Sequence, residues 1–232
     1  MTERYPPTPR TRIRRLPKRA RYDRAAVHAV LDAGVLCHVG YVIDGQPYVT
    51  PTLYWRHGER LYWHGSSASR MLRHLRQGVR ACVTVTHLDG LVLARSGFHH
   101  SVNYRSVMAL GDARLVPDED KLGVLEDFVD HLLPGRWPEL RPVTAQELKA
   151  TTVLWMELEE VSAKIRTGPP LDDEEDYALP VWAGVVPVGR HLGAPEADPR
   201  LEPGTPLPAY LREPARLELL QRWLRPPGQG DD

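Results

Sequence analysis

The chain has 232 residues, of which 42% are hydrophobic and 26% charged, and 30 Lys and Arg balance 30 Asp and Glu to a formal net charge of zero. That size and apolar content suit one globular domain with appendages. Zero net charge excludes a global field that would recruit nucleic acid or an anionic membrane surface, so any preference for anions is local.

Residues 1–21 form a proline-bearing basic arm containing RTRIRRLPKRAR, expected to pack as an extended, solvated strap. The arm lacks a signal-type apolar segment, and no run approaches the ~20 apolar residues of a membrane span, which predicts a cytoplasmic protein without a membrane partner. A globular domain is expected over 22–167. Its first element, 22–34, predicts a helix that Asp23 can cap, with Val27, Val30 and Leu31 on one face and Gly34 as the stop. VLCHVGYVI, YVTPTLYWR and LYWH then predict a meander of antiparallel strands joined by the short turns DGQP and HGER.

Ser66 or Ser67 is expected to cap the next helix, whose Met71, Leu72 and Leu75 repeat at helical spacing up to Gly78. VRACVTVTHL predicts a strand and DG a turn into LVLARSGF. After the HHSVN loop, YRSVMALGDARLV predicts a buried strand. A helix is expected from Asp118 to Leu133 through Leu122, Leu125, Phe128, Val129 and Leu132, and a shorter one over 144–150. TTVLWMELEEVSAKIR predicts one long strand. From Thr167 a proline-rich extension, 168–232, is expected to wrap the barrel or dimer, with a terminal helix in REPARLELLQRWL that carries Pro214 in its first turn. Six strands interrupted by helices, without βαβ alternation, point to a mainly β fold, an antiparallel barrel with flanking helices.

Cys37 and Cys82 lie in apolar runs without CxxC spacing, as reduced core residues do. LYWHGSSASRMLRHL raises the question of function. A helix start leaves backbone N–H groups unpaired and attracts anions; Ser66, Ser67 and Ser69 add hydroxyl donors there and Arg70 a fork suited to phosphate. The same residues also describe an ordinary serine-capped helix. In YVTPTLYW, Pro51 marks an edge or bulge, which either blunts the strand against aggregation or frees backbone groups for a flat heterocycle. His64, His99 and His100 lack zinc spacing, no GxSxG or defensible carboxylate pair occurs, and DDEED reads as a solvated loop.

Taken together, CHVGYVIDGQPYVTPTLYWRHGERLYWHGSSASRMLRHL, LVLARSGFHHSVNYRSVMALGDARLV and SAKIRTGPP…ALPVWAGVVPV resemble the pyridoxamine 5′-phosphate oxidase-like, FMN-binding proteins, in the branch that includes the nitroimidazole-resistance (Nim) proteins. The resemblance runs from about Arg14 to Pro187. It implies a six-stranded antiparallel split barrel and a homodimer with FMN at the subunit interface. It further implies that Thr50, Pro51, Thr52, Leu53, Tyr54 and Trp55 run beside the isoalloxazine, and that Trp63 and His64 lie by the ribityl chain or ring. Ser66, Ser69 and Arg70 would hold the phosphate, Arg105 and Ser106 would reach the cofactor from the partner, and Lys164 and Arg166 would lie near it.

The chain departs from the vitamin B6 oxidases in two places. Met71 stands where many carry a phosphate-binding lysine, and the tail lacks their Arg–x–His–x–Arg signature. The expected activity is therefore a flavin-dependent oxidoreductase acting on a small molecule other than vitamin B6, with His64 as the catalytic candidate. Two alternatives stand beside it. One is a Nim-type nitroimidazole reductase; the other is a non-catalytic flavin or heme binder with His99 and His100 as axial ligands.

Overall fold

The computed structural model describes residues 3–212. Its strands and α-helices, in chain order, are β1 (Ala20–Arg21), α1 (Arg24–Asp32), β2 (Leu36–Ile43), β3 (Gln46–His57), β4 (Arg60–Ser66), α2 (Arg70–Leu75), β5 (Arg80–Leu93), β6 (Ser101–Asp112), β7 (Arg114–Leu115), α3 (Lys121–Leu132), α4 (Ala145–Ala150), β8 (Thr151–Glu157), β9 (Glu160–Arg166) and β10 (Gly184–Pro187). Neighbouring strands run β1-β9-β6-β5-β2-β3-β4-β8-β7, with β10 on β5, and every pairing is antiparallel.

The expected single strand over 151–166 is divided. β8 pairs with β4 and β9 with β6, at opposite ends of the order, and Leu158 and Glu159 alone separate them. A chain that crosses from one end of a sheet to the other in two residues brings those ends together, which closes the sheet into the expected split barrel. The sheet has ten strands among the described residues where six were expected, because short strands such as β1, β7 and β10 add to it. Leu158 fixes the corner: its N–H donates to the carbonyl of Glu59 at 2.8 Å, and its side chain is buried.

Inside the barrel, Val27, Val30 and Leu31 of α1 pack with Trp63, Leu75 and Met156, all at or near zero exposure. Full burial of an aliphatic side chain contributes about 1.5–3 kcal/mol, so this one helical face anchors α1 against β3, β5, β6 and β9. Asp23 caps α1 as expected, accepting from the N–H of Ala26 at 2.9 Å.

The expected turn at Asp89–Gly90 is instead a bulge within a continuous β5, where the register against β6 slips between Leu88 and Gly90. A side chain at Gly90 would press on β10, its Cβ lying 3.0 Å from Val185 Cγ1 and 3.2 Å from the Val186 carbonyl. Glycine here admits a neighbouring strand. The cap of α2 is Ser69, not Ser66 or Ser67. α3 starts at Lys121 with Asp120 at its N-cap, three residues beyond the expected Asp118, which instead pairs with the Lys121 ammonium at 2.7 Å.

The N-terminal strap is docked: Tyr5 is buried and its hydroxyl donates to Glu59 at 2.6 Å, while Arg10 forks onto Glu160. The acidic run forms a 3-10 turn at Glu174–Ala178, preceded by Asp172 paired with Arg95. Both cysteines are free thiols. No described helix is long and apolar enough to cross a membrane. The expected terminal helix falls mostly on residues outside those described.

Candidate functional site

β3 is flanked by β2 along 46–53 and by β4 along 54–57. Over 46–53 its second edge has no strand beside it among the described residues, and Pro51, opposite His38, lies in that half. A proline with no N–H to donate is tolerated there. Thr50 and Thr52 are half-buried and Pro51 and Leu53 exposed, whereas Tyr54 and Trp55 are fully buried. The expected cofactor strand thus divides into a reachable part, 50–53, and an interior part, where the Tyr54 hydroxyl donates to the Leu31 carbonyl. Thr50 Oγ1 lies 3.1 Å from the Tyr41 hydroxyl.

β4 hands over to α2 through Ser66–Ser69. Trp63 is buried in the main core, so what it offers a ligand is main chain. Ser66 Oγ accepts from the N–H of Ala68 at 3.2 Å, and Ser69 Oγ from that of Leu72 at 3.5 Å. A hydroxyl that accepts a capping bond still has its own proton to donate, so capped turn and anion site coexist. Arg70 is exposed, with its guanidinium 4.4 Å from the centre of the Tyr48 ring, and Tyr48 stacks on Tyr41 at 5.6 Å. That cation–π contact, worth about 0.5–1 kcal/mol at an exposed site, orients the fork without occupying its donors.

His64 occupies an aromatic pocket. Its ring centre lies 4.5 Å from that of Phe128 on α3 and 5.9 Å from that of Trp55, both edge-on. Tyr62, Val116 and Val153 complete the cluster, with Val124 and Leu125 packed on it. Two polar atoms in this pocket are buried without a hydrogen-bond partner, His64 Nδ1 and Trp55 Nε1. Burial lowers the histidine pKa below its ordinary value, so the ring is neutral at pH 7. The buried His87 differs: Nε2 lies 2.9 Å from the Val30 carbonyl and Nδ1 3.2 Å from Arg190. His74 Nε2 also lacks a partner, beside the Tyr41 ring at 6.3 Å.

Strands β6 and β9 bring the remaining expected residues together, with Ser106 opposite Lys164 and Tyr104 opposite Arg166. Arg105 is buried and forks onto Asp89 at 2.9 and 2.8 Å, so its charge is met within the chain. Ser106 Oγ donates to the Lys164 carbonyl at 3.3 Å. Lys164 is half-buried and Arg166 almost fully buried. His99 and His100 sit at the end of an exposed turn, engaged with Asp173 at 3.3 Å and the Ser96 carbonyl at 2.9 Å. Sequence reasoning missed Asp89, whose place in DG suggested a turn, and Phe128, whose helical spacing marked it as core alone.

Residues 23–165 match the sequence profile of the pyridoxamine 5′-phosphate oxidase family. No curated protein matches the chain. Among solved structures, the flavocytochrome Anf3 from Azotobacter vinelandii is 50% identical, with 89% of this chain and 97% of that one covered and a TM-score of 0.86. The FAD and heme binding protein from Mycobacterium smegmatis is 39% identical over 87% of this chain and 97% of that one, at a TM-score of 0.81. A candidate 5-nitroimidazole antibiotic resistance protein from Bacteroides thetaiotaomicron is 18% identical over 63% of this chain and 86% of that one, at a TM-score of 0.53, a likeness of fold alone.

Proposed function

This chain belongs to the pyridoxamine 5′-phosphate oxidase family, and on that premise we propose that it is a flavocytochrome, a redox protein that holds a flavin beside β3 and a heme at His64. The observation that carries the heme half is the pocket of His64: a neutral imidazole with an unpaired buried nitrogen, walled by Trp55, Tyr62 and Phe128. A buried polar atom without a partner is costly, and a metal ion accepts the lone pair that a neutral imidazole presents. The Trp55 N–H, unpaired in the same pocket, is a donor for an acceptor atom of the bound group. Likeness to a flavocytochrome and to an FAD and heme binding protein over nearly the whole of their lengths supports the same assignment. His99 and His100, the other axial candidates, are already engaged by Asp173 and Ser96.

For the flavin, Arg70 and the hydroxyl protons of Ser66 and Ser69 supply phosphate donors, and the open edge of β3 at 50–53 offers main-chain groups to a flat ring. FAD rather than FMN is proposed, because the 39%-identical protein is an FAD and heme binding protein. A flavin supplies hydride and electron chemistry, and a heme one-electron chemistry. Trp55, Phe128 and Tyr62 exclude water from the His64 nitrogen, and the Arg105–Asp89 pair neutralises a buried charge near the β5 bulge.

A homodimer is also proposed. Leu36, Val42, Val49 and Leu53 expose an apolar row on the β2–β3 hairpin, of a kind that marks an interface; Val49→Asp should turn a dimer into a monomer by light scattering. The two free thiols fit a reducing cytoplasm. The test of the main assignment is mass spectrometry of the small molecules released from purified protein, with an absorption spectrum of the intact sample. FAD and heme together are the expected result; a colourless protein that takes up neither refutes it.

A further inference from the structure

Several exposed arginines, Arg10, Arg60, Arg80 and Arg141, have carboxylate partners. Around Arg80 the cluster is Arg10, Arg80, Asp112 and Glu160, an internally balanced network. An open cavity of about 240 Å³ where the N-terminal strap meets the end of β9 is different. Lys18, Arg19, Arg21 and Arg166 line it with no acidic side chain among the lining residues. Arg166 is only 6% exposed, and its guanidinium donates to neutral acceptors, the Asn103 side-chain oxygen and the Gly168 and Pro169 carbonyls. Its Nε is buried without a partner. Burial and the neighbouring charge of Arg19 both work against its protonated form. A buried guanidinium beside further cations, with neutral hydrogen-bond partners, is a site built for an anion.

The cavity also has an apolar side. Ile165, Pro169 and the exposed Leu171 line it together with the cations. We propose that this cleft binds the diphosphate of a nucleotide, with the arginine forks on the phosphate oxygens and the apolar residues along the organic part. Forked, charge-assisted bonds are the strong mode of phosphate recognition. Apart from Ile165, the lining residues lie outside 23–165, the segment that matches the family, and come from the strap, the last residue of β9 and the chain just after it. The diphosphate can come from the bound dinucleotide itself or from a soluble nucleotide that donates electrons.

ADP is the probe, titrated into full-length protein as isolated, with flavin release followed in parallel. Lys18→Ala with Arg21→Ala removes two exposed cations without touching the core, and Arg166→Gln removes the buried one; circular dichroism checks its fold. Binding of ADP with flavin retained, weakened at least ~10-fold in the variants, identifies a soluble nucleotide. Displacement of flavin by ADP, or loss of flavin from both variants, identifies the cofactor's own diphosphate. Unchanged flavin content in the variants together with no ADP binding at millimolar concentration overturns the proposal. A protein that carries no flavin but binds ADP through these residues sinks the flavocytochrome assignment and leaves this site standing.

Discussion

Replacing His64 with leucine separates a ligand role from a packing role. In heme-free protein two effects oppose each other. The substitution removes the unpaired Nδ1, whose burial costs about 1–3 kcal/mol. It also removes edge contacts to Phe128 and Trp55, worth about 0.5–1.5 kcal/mol each. These sums overlap, so heme-free stability should change by no more than about 2 kcal/mol in either direction. In heme-loaded protein the balance is one-sided. A ligand present at 100 times its Kd stabilises by about 2.7 kcal/mol, and for a chain of this length each kcal/mol moves Tm by about 2–4 °C. Wild-type protein should therefore gain about 5–10 °C on heme addition and His64→Leu almost nothing, with the variant losing the heme absorption band. Thermal unfolding with and without heme, read beside the spectrum, is the assay; His74→Leu is the control that keeps the band. Equal heme stabilisation of wild type and His64→Leu would refute the ligand role. A heme-free loss above ~3 kcal/mol would show that the ring is structural.

Three further outcomes are expected. Arg70→Gln should weaken flavin binding at least ~10-fold while stability falls by no more than about 1 kcal/mol, the worth of its exposed contact with Tyr48; fluorescence titration of the flavin measures the first and urea unfolding the second, and unchanged affinity removes Arg70 from the cradle. Gly111→Ala places a Cβ 2.6 Å from Cγ of the fully buried Met156, between β6 and β8. It should cost about 1–3 kcal/mol by overpacking, and a Met156→Val background should recover part of that; simple additivity of the two would mean that the contact is not the cause. Burial pushes the Cys37 thiol up to about 12. The neutral thiol is the favoured folded form, so its contribution to stability is complete below the ordinary thiol pKa and is lost as pH rises toward 12. Iodoacetamide at pH 9 should spare Cys37 in native protein and modify it in urea, as seen by peptide mass mapping; rapid native labelling contradicts that burial.

Local chemistry makes α1 legible in the amino-acid sequence alone: Asp23 caps it, its apolar face is regular, and both signals act within a few residues. The meander of β2, β3 and β4 is legible for the same reason, because short turns fix register over neighbouring residues. The features that escape sequence reasoning depend on distant partners. Asp89–Gly90 has the composition of a turn, and only the arrival of β10 and the pull of Arg105 on Asp89 make it a bulge. TTVLWMELEEVSAKIR is uniformly strand-like, and its division at Leu158 comes from β4 and β6 competing for its two halves. At the site, the Ser66–Arg70 group is visible as a local motif. The pocket of His64 is half visible, since Trp55 and Tyr62 are near in sequence while Phe128 arrives from another helix. The clustering of Lys18 and Arg19 with Arg166 needs the pairing of β1 with β9, which the sequence of the arm does not announce.

β10 has a consequence for how the protein behaves in a crowded solution. Along Gly90–Leu93, one side of β5 is taken by β6 and the other by β10, since β2 reaches only Cys82–Thr84. Without β10, a stretch of Leu91, Val92 and Leu93 would present bare amide and carbonyl groups to any passing strand. The residues that cover it come from a proline-rich segment and end in Pro187, which cannot donate to a further partner. The extension therefore works as a guard against self-association, and trimming the chain before Gly184 should yield a protein that folds its barrel but aggregates through the uncovered edge.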